Sequence, residues 1–310
     1  METIVVKPLK IKTALQKQSC FGGAWYHKVM SMDYPFYGIE GTITLPIPFI
    51  RRYDQKANIK HIVDFNQKNL DVSSIYMGGH ASEESDVGLA LFRGYLGDFI
   101  STGAFVYRPF WRYITDEFED VGTYDLENGR NYAATLLSNH NGTKNVYAQY
   151  HPSFTEYYYL PGDTLTLSLF SPKPNFMQLR IEVVQVSKLP FSMNLRRRYK
   201  LKQPQSFLSP MFSSKGHGTN MPKSYKRVNA IDQVRNEGKE AIHTKTEILN
   251  AHWHSCYLYY QENEILYKTP FNDDLSVTMQ CPNPKAFNVT PIDSITGGQM
   301  ISIRPNEVKR

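Results

Sequence analysis

Thr164-Leu165-Thr166-Leu167-Ser168-Leu169-Phe170 alternates polar and apolar side chains through most of its length. That is the period of two expected of a strand with one buried and one wet face. Pro161-Gly162-Asp163 before it is a turn signal. After it, SPKPNF (171–176) leads into LRIEVVQV, Leu179–Val186. A Thr/Leu strand, a proline-bearing turn and a Val/Ile strand read together as an antiparallel hairpin.

Working outward, Phe36–Pro46 alternates in the same way and is ended by Pro46 and Pro48. Ser74–Met77 and Val87–Phe92 read as short strands joined by the turn-like GGHASEESD (78–86). Ala104–Tyr113, AFVYRPFWRY, holds five aromatics and two arginines. Its Pro109 removes a ladder donor and so marks a strand edge, bulge or end. Further strands are expected at 145–150, 156–159, 224–231, 246–251, 254–260, 275–280 and 299–303. Helical periodicity is confined to one short segment near 232–242. The proline-, serine- and arginine-rich stretch 188–222 reads as a boundary. Many short strands separated by turn signals predict an all-β protein, a two-sheet antiparallel β-sandwich of jelly-roll type. The expected division is a short basic N-terminal arm over residues 1–35 and a sandwich over 36–310.

The 310 residues include 21 Tyr and 17 Phe, a composition that favours strands, and carry a net charge of +6. No apolar run approaches the roughly 18 residues of a membrane span. Basic clusters lie at Lys7, Lys10, Lys12 and Lys17 and at Arg196–Lys202. Without a nucleic-acid motif they read as solvated segments, so no nucleic-acid partner is expected. Met1–Gln16 lacks the apolar core of a signal peptide. The expectation is therefore cytosolic synthesis with non-classical release or inclusion, the alternative being secretion with the signal removed. Cys20, Cys256 and Cys281 have no metal-ligand spacing; free buried thiols are expected, with a Cys256–Cys281 pair as the alternative.

An ordered set of segments resembles an uncharacterised bacterial family typified by the Bacillus protein YrpD. The segments are SIYMGG (74–79), DVGL (86–89), YRPFWR (107–112), YYYLPGDTLTL (157–167), KRVNAIDQ (226–233), NEG (236–238), AHW (251–253) and CPNP (281–284). The resemblance spans roughly residues 37–305. It implies a concanavalin A-like fold in which 188–222 is a long loop within one sandwich. It implies no reaction.

The leading expectation for function is non-catalytic and lectin-like: recognition of a glycan or cell-surface polysaccharide. Trp111 and Trp253 would form an aromatic platform, with Asp86, Arg108, Arg112, Asn229 and Asp232 reaching the sugar hydroxyls. The competing reading places the tryptophans in the core and makes Arg108–Asp86 an internal bridge. Two alternatives belong to other classes. One is a self-assembling protein whose arm adds a strand to a neighbouring copy's edge. The other is a glycoside hydrolase or lyase using Glu117 and Glu119, which share a strand face but form only a fragment of the three-acid pattern of sandwich glucanases. His252 and His254 would point the same way on a strand but bring no third metal ligand. No cofactor is expected; calcium stays open.

Overall fold

The computed structural model describes residues 4–11, 19–53, 70–93, 105–113, 134–138, 144–148, 152–233, 236 and 238–308. The early strands are β1 (Val5–Val6), β2 (Ala24–Ser31), β3 (Phe36–Thr44), β4 (Ile47–Phe49), β5 (Asp71–His80), β6 (Glu84–Arg93) and β7 (Phe105–Tyr113). They are followed by β8 (Ala134–Ser138), β9 (Lys144–Ala148), β10 (Thr164–Phe170), β11 (Phe176–Gln185) and the helix α1 (Pro190–Arg198). Next come β12 (Phe207–Leu208), β13 (Phe212–Ser213), β14 (Ser224–Gln233) and β15 (Glu247–Glu262). The chain finishes with β16 (Ile265–Pro270), β17 (Ser276–Cys281), β18 (Phe287–Val289) and β19 (Gln299–Ile303).

The strands form the two sheets of a β-sandwich. One has the order β1-β16-β15-β3-β10-β11-β12, with β4, β13, β18 and β19 attached; the other runs β17-β2-β14-β5-β6-β7-β9-β8. Among the described residues the named strand pairs are antiparallel, except β1 with β16. The alternating β10 is central to the first sheet. Its Leu165, Leu167 and Leu169 point inward, while Thr164 and Thr166 pair through their hydroxyls with Thr44 and Thr42 of β3 on the other face. The core closes where these leucines, Ile39, Ile43, Leu179, Ile181 and Leu258 meet Val29, Ile75, Met77, Val87 and Leu89 of the second sheet.

Three expectations change. Residues 1–35 are not wholly an arm, because β2 lies inside the second sheet between β17 and β14. Its sequence, AWYHKVMS, hides this: Trp25 and Val29 enter the main core while Ala24 and Tyr26 enter a second cluster on the opposite face. A strand covered on both sides has no alternation to read. The α-helix found among the described residues falls at Pro190–Arg198 and docks Leu195 against Val106, Tyr158 and Leu160; of the segment expected to be helical, residues 232–233 belong to β14 and part lies outside the described residues. The following β12 and β13 both pair with β11. Finally, Cys20 pairs with Cys281 at a Cα separation of 5.8 Å, and Cys256 is the free, buried thiol.

Pro109 lies within a continuous β7, opposite Leu89. On the other side of β7, Tyr107 bridges to Tyr159, and pairing with β9 resumes at Phe110. The proline fills the gap, where a missing N–H leaves no ladder bond unmade.

Candidate functional site

The outer face of the second sheet carries a close cluster of ionisable side chains. Register sets one row across it: Met30 of β2, Lys226 of β14, Gly78 of β5 and Asp86 of β6. Alternation puts Glu84 on the same face as Asp86, about 7 Å away along the strand. Lys226 Nζ lies 3.0 Å from Asp86 Oδ2 and also donates to Glu84 Oε1. A Cβ on residue 78 would collide with both the Asp86 carboxylate and the Lys226 Cε, so glycine is what lets the two side chains meet. Lys28 and Tyr76 complete the surroundings, the Tyr76 ring 5.8 Å from Lys226 Nζ.

Burial drives the Asp86 carboxyl up to about 7, with Glu84 adding to the shift and Lys226 opposing it. Burial also acts upward on Glu84, but the charge and hydrogen bond of Lys226 outweigh it and hold that carboxyl below its ordinary range. Lys226 is itself raised, because its two carboxylates overcome the cost of burial. Two acids on one face thus differ in protonation near neutrality, Asp86 holding a proton more readily than Glu84. Glu84 is the more open of the two, with 34% of its side chain exposed against 2% for Asp86.

The sugar-binding expectation fails on geometry. Trp111 packs against Phe207 and Trp253 donates 2.8 Å to Asn229 Oδ1; both indoles are fully buried and offer no platform. Asn229 faces the core beside Trp253, on the opposite face of β14 from Lys226. Asp86 takes Lys226 as its cation, while Arg108, buried, stands opposite Ala90 and not opposite Asp86. Asp232 is half-buried near the end of β14, opposite Ala24 and Val72. The side chain of Arg112, and Glu117 and Glu119 entirely, lie outside the described residues. The rings of His252 and His254 lie 3.9 Å apart with their planes tilted by 42°, and His254 Nε2 lies 2.7 Å from Thr44 Oγ1. The strand of the N-terminal arm, β1, lies parallel to β16 of its own chain.

Glu84 and Lys226 were not singled out from the sequence. Glu84 sits in a stretch that reads as a turn, and Lys226 is one of many surface-type lysines. The signal available was GG at 78–79, a small-residue pair that makes room for neighbours on both sides.

No family model and no curated protein matches the chain. Among solved structures it is similar to scytalido-glutamic peptidase bound to a transition-state analogue inhibitor, at a TM-score of 0.45 and 7% identity, over 91% of this chain and 98% of that one. A second structure of that peptidase, with a peptide-based analogue, gives 0.46 and 8% over 91% and 98%. SCP-B, an eqolisin-family peptidase in complex with a tripeptide, gives 0.44 and 8% over 90% and 98%. All three structures are described as peptidases. The non-catalytic glycan-binding reading is withdrawn, its tryptophan platform being core.

Proposed function

We propose that the chain is a hydrolase of acyl linkages, using Glu84, Asp86 and Lys226 on the outer face of the second sheet. One observation carries this reading. Two carboxylates two residues apart on a strand share one ammonium, and their environments push their proton affinities in opposite directions. Such a split is how acid and base roles are assigned within a carboxylate pair.

Glu84, ionised, takes a proton from an attacking water; Asp86, protonated, delivers one to the departing nitrogen or oxygen. Lys226 supplies positive charge where the carbonyl oxygen becomes an oxyanion. The same ammonium argues against glycoside cleavage, whose transition state is itself cationic and would be repelled. Proton transfer from Glu84 back to Asp86 resets the pair.

The test measures hydrolysis of a fluorogenic peptide library and of nitrophenyl acyl esters by the full chain, between about pH 3 and 8. Glu84→Gln and Asp86→Asn should each lower kcat by about 100-fold or more with the fold intact. The rate should fall as pH rises through about 7, where Asp86 loses its proton. Activity untouched by both substitutions, or no hydrolysis of either substrate type, sinks the proposal.

A further inference from the structure

Between the sheets, on the inner face of β14, lies a charge that the chain itself does not balance. Arg227 is 1% exposed, one of the largest fully buried side chains. Its Nη2 donates 3.2 Å to Gln299 Oε1, and its guanidinium stands 5.6 Å from the Trp253 ring centre. Its Nε and Nη1 have no hydrogen-bond partner. Among the described residues no carboxylate pairs with it. Asp273, whose charge acts on it, is exposed, and Cys256 nearby is held as a thiol by burial, pushed up to about 12 despite Arg227.

Asn229, two residues along the same face, has its Oδ1 occupied by the Trp253 N–H, which leaves Nδ2 as another buried donor without a partner. Gln299 is likewise used up, since its Nε2 donates to the Thr290 carbonyl. Arg227 and Asn229 both touch Trp253, one over the ring and one at its nitrogen, so their free donors lie within the span of a single indole. His27, opposite Asn229 on β2, forms the neighbouring wall; burial and Arg227 push it down to about 3, which keeps it neutral.

We infer that Arg227 and Asn229 form an internal binding site for a small monovalent anion, chloride being the natural occupant. A buried guanidinium without a counter-charge costs several kcal/mol. Water can accept the hydrogen bonds but cannot neutralise the charge. Three unpaired donors against one unpaired ring nitrogen, His27 Nε2, leave an excess of donors that suits an anion, and a single net positive charge with neutral His27 suits a monovalent one. The apolar surroundings, Val29 and Met77 on the flanking strands, suit an ion that is weakly hydrated and small.

The full chain is melted in sodium chloride, sodium bromide and sodium gluconate at equal ionic strength, and crystals grown with bromide are examined at the bromine absorption edge. Chloride and bromide should raise the melting temperature saturably relative to gluconate, as a ligand selective for the folded state does. The anomalous peak should lie within hydrogen-bond reach of Arg227 and Asn229. Arg227→Met should abolish the halide effect. Should that variant fail to fold, Asn229→Asp serves the same end: it keeps an acceptor for Trp253, places a carboxylate beside Arg227, and should make stability independent of halide. No saturable halide effect, a halide effect that survives Asn229→Asp, or a water in place of the bromide peak overturns the inference.

Discussion

Gly78 stands directly opposite Asp86 on the neighbouring strand, and the Asp86 carboxylate occupies the volume that any side chain at 78 would need. Lys226 closes over the same spot from the other side. Gly78→Ala should therefore destabilise the protein by about 1–3 kcal/mol, the usual cost of overpacking, through displacement of a buried ion pair. Urea denaturation would measure it. Stability equal to the wild type would mean that the pair can move aside freely, and that Gly78 does not hold it.

Asp86 also makes a prediction about pH. Its carboxyl is raised in the folded state to about 7 from an ordinary value of 3.8. Between those values the folded chain holds a proton that the unfolded chain has lost. This contribution to stability is fully present below about 3.8 and is lost progressively as pH rises toward 7. Asp86→Asn removes the titration, so the difference between wild-type and variant unfolding free energies should drift by a few kcal/mol across that window and be flat above it. A flat difference throughout contradicts the raised proton affinity.

The tryptophans give a third test, which separates core packing from surface recognition. Trp253→Phe retains most of the ring volume but strips Asn229 Oδ1 of its donor. A loss of about 1–3 kcal/mol is expected for the orphaned acceptor. Trp111→Ala, deep against Phe207, should cost about 3–5 kcal/mol. Differential scanning calorimetry reads both; near-wild-type stability in either variant would place that indole outside the core.

The sandwich was legible because its first sheet follows the rule of alternation: TLTLSLF and the run from Phe36 show one wet and one dry face. The second sheet was harder to read. AWYHKVMS and DVSSIYMGGH are covered on both faces, and KRVNAIDQ carries Lys226 outward and Arg227 into the core, so charge gives no reliable clue to facing. The ionic cluster depends on register between three strands, β14, β5 and β6, which no local pattern encodes. The sequence offered free thiols or a Cys256–Cys281 pair, and only the pairing of β17 with β2 brings Cys281 alongside Tyr26, near Cys20.

The last prediction concerns how α1 is held. Asp163, in the turn before β10, accepts from the backbone N–H groups of Leu160 and Ser187, each at 2.7 Å, and from Arg196 of α1 at 2.5 Å. Burial raises its carboxyl, while Arg196 and the two backbone donors work against that rise. Asp163→Asn keeps one acceptor oxygen but removes the negative charge, leaving a mostly buried Arg196 without its counter-ion. Breaking a buried pair from one side costs about 3–5 kcal/mol. Arg196→Met removes the charge on the other side and keeps much of the aliphatic packing. The double variant Asp163→Asn/Arg196→Met should then recover part of the loss, since neither partner is left charged alone. Additive losses in this double-mutant cycle would show that Asp163 and Arg196 act independently and that α1 is anchored by its other contacts, Leu195 in the core and the Ser192 hydroxyl on the Pro161 carbonyl.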